Sequence, residues 1–143
     1  MWENFEGFKK HLRDDIGVSF EESTENGTRL ILLRQRIANS TELTIIIDFS
    51  RNESNVVPVV IGDIAHIDSP LKKEEFLKLI NEVNEEYNIL KMYVVSDSDA
   101  VRAQLTFFVH DESDYDDIVM VFIGTIRSIE GEIYKKFMRL QWS

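Results

Sequence analysis

Cysteine is absent from the 143-residue sequence, which removes disulfide bridges, thiolate metal sites and cysteine nucleophiles together. A reducing, cytoplasmic setting is the simplest expectation for such a chain. Only 2 prolines and 6 glycines occur, too few for a collagen-like, low-complexity or largely disordered polymer. No apolar run approaches the roughly 20 residues of a membrane-spanning helix. The opening Met1-Trp2-Glu3-Asn4-Phe5-Glu6 lacks the basic stretch and apolar core of a targeting signal, so none is expected. Basic side chains are in deficit, 16 against 26 acidic ones, leaving a formal charge of −10. That field repels a phosphate backbone and disfavours anionic lipid. Neither nucleic acid nor a membrane is an expected partner, whereas a basic protein is attracted.

Catalytic signatures are missing too. The sequence contains no G-x-x-x-x-G-K-[ST] or G-x-G-x-x-G phosphate cradle, no H-E-x-x-H zinc pattern and no G-x-S-x-G nucleophile turn. His11, His66 and His110 are scattered, without ligand spacing. No catalytic residue, metal ligand or cofactor is therefore expected, and the chain reads as a non-enzyme.

What is present is enough apolar content, 43%, to build one core, and residues 1–143 read as a single domain. Trp2, Phe5, Phe8, Leu12 and Ile16 recur at helical spacing. Val18-Ser19-Phe20 begins an alternating stretch, Glu25-Asn26-Gly27 is a hairpin signal, and Thr28 to Ile37 returns as a strand. Asn39-Ser40-Thr41 breaks it, Leu43 to Phe49 alternates as a third strand, and Arg51 to Asn55 is a polar turn. Val56 to Ile67 follows as a fourth, in which Pro58 and Gly62 suggest an edge position or a bulge.

Asp68-Ser69-Pro70 predicts a helix start. The inner stripe that follows is Phe76, Ile80, Val83 and Tyr87, widened by Leu77 and Leu79, with a stop near Asn88. Leu90 to Ser96 and Ala100 to His110 flank an Asp97-Ser98-Asp99 turn as a second hairpin. From Ile118 through Phe122, Ile126, Ile129, Ile133, Phe137 and Leu140 the spacing predicts a long closing helix, with Gly131 at a bend. The order αββββαββα makes an α+β domain, an antiparallel sheet of about five to six strands flanked by three helices.

The strand Val59-Val60-Ile61-Gly62-Asp63-Ile64, the helix Phe76 to Asn84, the hairpin through Tyr93-Val94-Val95 and Leu105 to Val109, and the closing helix ending near Trp142 resemble the YbjN-like bacterial domain. That is a sensory transduction regulator family within the type III secretion chaperone-like fold. The resemblance is one of pattern and covers somewhat more than half of the chain. It implies a small acidic protein, often a dimer, whose relatives in this fold cradle extended segments of other proteins, and it implies no catalytic residues.

The acidic run Asp111, Glu112, Asp114, Asp116 and Asp117 has the carboxylates a hard cation wants, but neither the turn glycine nor the closing glutamate of an EF-hand. Capping of the next helix is the expected role. Strands two and three carry apolar residues on both faces, as does the pair Phe107-Phe108. Helices covering both sides of the sheet would account for this, and that arrangement is the expectation. A self-association or client surface is the other reading. On that reading Ile46, Tyr93, Phe108 and Trp142 are the interface candidates, being large at positions where alternation predicts exposure or at an element's end. The functional expectation is a chaperone-like or regulatory protein-binding module. It dimerises through a helix or sheet edge and docks a peptide-like segment across an apolar, acid-rimmed sheet. An immunity protein neutralising a basic toxin, or a small cation-dependent enzyme, are the alternatives.

Overall fold

The computed structural model describes residues 2–37, 41–51 and 55–143. Asn39 and Ser40 of the expected break, and Asn52, Glu53 and Ser54 of the expected turn, lie outside the described residues. Helix α1 (Glu3–Lys10) runs into a π-wound turn, His11–Ile16, which Gly17 ends at φ +78°. Strands β1 (Glu21–Ser23) and β2 (Leu30–Arg36) are joined through Glu25–Gly27, where Asn26 and Gly27 take the left-handed conformation that such tight connections require. Strands β3 (Glu42–Asp48) and β4 (Val56–His66) precede α2 (Lys73–Glu86). Strands β5 (Lys91–Val94) and β6 (Ala100–Phe108) lead to α3 (Tyr115–Ser128), a π-wound turn at Ile129–Ile133, and α4 (Tyr134–Gln141). With α3, the turn and α4 taken as one long helix, the order is the αββββαββα read from the sequence.

The six strands form one antiparallel sheet in the order β1-β2-β3-β4-β6-β5. Strand β4 is therefore central, which corrects the edge position suggested by Pro58. The ring is tolerated because β3 pairs only with Val59 to Gly62, leaving Pro58 one residue beyond that ladder. The bulge reading holds at Gly62, where the β4–β6 register shifts between Ile61 and Ala65.

All the helices share one face of this sheet. Its core side is made by Ile31, Leu43, Ile45, Ile47, Val59, Ile61, Ala103 and Leu105, packed with Phe5, Phe8, Phe76, Ile80, Phe122, Ile133 and Phe137 from the helices. Aromatic pairs join the layers: Phe8 stands 5.7 Å from Phe49 and 5.6 Å from Tyr115, Phe76 5.8 Å from Phe137, and Phe107 5.3 Å from Phe122. Helix α1 approaches α3 closely at Gly7, where a Cβ would come within 2.4 Å of the Tyr115 hydroxyl. Among the described residues, the expected cover on both faces is thus not found. The near-continuous apolar runs of β2 and β3 supply one buried face and one facing away from the helices. Leu77, placed in the inner stripe of α2, is 43% exposed, because Phe76, Leu79, Ile80 and Val83 already span the arc that meets the sheet and α4.

The π-wound turn explains how so long a stripe stays inward. Steps of four residues drift by roughly 40° each around an α-helix, and widening one turn around Gly131 takes up the drift, leaving Ile129, Ile133 and Phe137 fully buried. Tyr87, half-buried at the end of α2, donates to Glu132 Oε2 at 2.8 Å and pins this turn. Burial and the Glu132 carboxylate push its phenol up to about 12.

Lys9 is the charged residue within the core's margin, 8% exposed. Its Nζ reaches Glu22 at 2.6 Å and Glu6 at 3.1 Å and lies over the Phe5 ring at 4.4 Å, tying α1 to β1. Burial works against its charge, and the hydrogen bonds and charges of Glu22 and Glu6 outweigh it, holding the ammonium above its ordinary 10.5.

Two outcomes follow from this packing. Phe137→Ala should cost about 3–5 kcal/mol, read by urea unfolding; a cost under about 1 kcal/mol would show that α4 is not integral to the core. Lys9→Ala should destabilise at neutral pH. Because the folded value is the raised one, the difference between wild type and variant stays full below pH 10.5 and shrinks above it. A gap that widens with alkalinity would contradict the ion-pair account.

Candidate functional site

Strand alternation sends every second side chain away from the helices. In register across the sheet, Leu32 faces Ile46, Ile46 faces Val60, and Val60 faces Gln104. Leu32, Ile46 and Val60 are half-buried, shielded by one another and by the rim, and they lie outside the core cluster. Leu30 and Pro58 flank them on the same face. At the end of β6, Phe107 turns inward to Phe122 while its neighbour Phe108 is 64% exposed. Among the described residues, no helix packs on this face.

The rim is charged with both signs, a correction to the acid rim expected. Arg34 donates from Nη1 to Glu21 Oε1, and its Nε lies 3.8 Å from Glu42, a pairing that holds the guanidinium firmly charged. At the opposite end, Arg102 donates from Nε to Asp63 Oδ1 at 2.7 Å. The stem of Arg102 lies over Gly62, where a Cβ would meet its Cγ at 3.0 Å, so the glycine leaves room for this side chain to cross the sheet. Tyr93 faces Arg102 across the β5–β6 pair. Asp48 accepts from the Ser50 N–H at 2.8 Å. Lys91, at the β5 edge, bends to the Asn84 carbonyl at 3.3 Å.

Of the four sequence candidates, the structure brings Ile46, Tyr93 and Phe108 onto this one face. Trp142 is 69% exposed but closes α4 on the helix layer, where Lys72 Nζ donates to the Gln141 carbonyl at 2.8 Å. Leu30, Leu32 and Val60 were missed by sequence reasoning, although the same alternation that marked Ile46 marks them.

The acidic run is a capping device. Asp111 accepts from the Ser113 N–H at 2.9 Å, and Asp114 accepts from the His110 N–H at 2.8 Å. The Ser113 hydroxyl and N–H hold Asp111 below the usual carboxylate range. Among the described residues, no three His, Asp or Glu side chains are arranged to hold a metal ion. Beside this run lies a cleft of about 1150 Å3, lined in part by Lys10, His11, Arg51 and Glu112. His11, on the wall of this cleft, is engaged within the chain. Nδ1 lies 2.8 Å from Asp15 Oδ2, and Nε2 lies 2.9 Å from Asp116 Oδ1, though out of line for a hydrogen bond.

No family model matches the sequence, and no curated protein matches it. The exposed apolar face is the candidate site.

If that face carries no part of the fold's own core, Phe108→Asp should leave the thermal midpoint within about 1–2 °C of wild type. Val59→Asp, one strand over and fully buried, should abolish cooperative unfolding. Circular dichroism melts of both variants check this, and a collapse caused by Phe108→Asp would show that the residue is structural.

Proposed function

We propose that this chain is a non-enzymatic protein-binding module, chaperone-like or regulatory in role, and that its uncovered sheet face is where it meets another polypeptide. The observation that carries the reading is the apolar stripe Leu32, Ile46 and Val60 facing away from the helices, with Phe108 exposed at its margin. An antiparallel sheet that keeps one face in water ordinarily shows polar side chains there. A contiguous apolar patch instead costs free energy in the isolated chain and is relieved by contact. The resemblance of residues 57–142 to the YbjN-like domain, whose fold relatives cradle other proteins, favours the same reading. A cysteine-free composition suits a reducing cytoplasm.

The test is site-specific photo-crosslinking in the cells of origin, with benzoylphenylalanine in place of Phe108 and, as control, in place of Leu77 on the exposed side of α2. Adducts with polypeptide should form at 108 and not at 77. No adducts at 108, or equal adducts at both, would overturn the reading.

A further inference from the structure

We infer that the polypeptide covering this face is a second copy of the chain, packed sheet against sheet about a two-fold axis. The inference rests on the reading above and adds the identity of the partner. Shape comes first. The clefts of about 1150 and about 440 Å3 are lined by α1, the acidic run, the segment before β1 and, at the end of the sheet, Phe49, Val56 and Val57, not by Ile46, Val60 or Phe108. The face itself is a sheet surface, which suits another sheet better than it suits a single extended strand. Six strands at about 4.8 Å spacing and about seven residues long span roughly 24 by 23 Å. Allowing for side-chain corrugation, this approaches the about 800 Å2 per partner of a standard stable interface.

Charge decides between a copy and a stranger. Among the described residues, the face carries Glu21, Glu42, Asp48 and Asp63 against Arg34, Arg36, Lys91 and Arg102, which cancel formally although the chain carries −10. The excess sits largely on the helix side, in Glu74, Glu75, Glu82, Glu85 and Glu86 of α2 and in the acidic run. A basic partner would be drawn to that side. Two copies meeting sheet to sheet would instead hold their acidic layers apart by two sheets and two helix layers, more than about 20 Å, against a screening length of about 8 Å at physiological salt. The nearly neutral face is thus the broad surface on which two such acidic molecules meet with least repulsion. Edge pairing offers less, since β1 contributes three residues and β5 four.

Sedimentation of the full chain over a range of concentrations tests this. A dimer should form at about 0.15 M salt and weaken several-fold at about 0.01 M, where screening over about 30 Å no longer separates the acidic layers. Phe108→Asp enters a two-fold interface twice and should raise the dissociation constant at least about tenfold. Met120→Asp, on the exposed side of α3, should not change it. A chain that stays monomeric while residue 108 still crosslinks to a different protein would overturn the second copy and leave the binding reading standing. A dimer broken by Met120→Asp and untouched by Phe108→Asp would overturn it as well.

Discussion

The helices of this chain rest on one side of its sheet, and that one-sidedness divides each strand into two populations of side chains. Residues of one parity, such as Ile45, Val59 and Leu105, are removed from water by aromatic groups on α1, α2 and the closing helix. Residues of the other parity, such as Ile46 and Val60, are shielded only by their cross-strand neighbours and the charged rim. Because the strand period is two, the same alternation that builds the core sets the composition of the opposite face. The stability of the fold and the character of its exposed surface therefore have a common origin.

The charges follow the same division. Helix surfaces carry most of the acidic excess, where water and salt screen it, while the sheet face pairs its ions at the margins, Arg34 with Glu21 and Arg102 with Asp63. Exposed pairs of this kind add little stability. Their effect is to leave the middle of the face apolar and nearly neutral. Lys9 differs in being buried and shared between Glu6 and Glu22, and it fixes α1 against the first strand. His11, between Asp15 and Asp116, brings the end of α1 against the start of α3, beside the aromatic contact of Phe8 with Tyr115. These links keep the helix layer on its own side.

Much of the candidate site could be read before the fold was known. Phe108 stood out because two adjacent phenylalanines in a strand point in opposite directions, and one of them then meets Phe122 while the other stays exposed. Ile46 and Tyr93 followed from the same alternation. Trp142 did not belong with them, since an aromatic at a chain's end carries no periodicity to say which layer it joins. The arginine pairs on the rim were illegible, because each joins residues from different strands whose register no local pattern reveals.

The sequence by itself determined the element order, the antiparallel character and the inward stripe of each helix, since these depend on spacing over a few residues and on local capping such as Ser69 before α2 and Asp111 before α3. It did not determine that β4 lies in the middle of the sheet despite Pro58, nor that the helices gather on a single face. Both are long-range choices. Where a ladder stops, and on which side a crossover lays its helix, is settled by competition among contacts many residues apart, and only the assembled tertiary structure decides it.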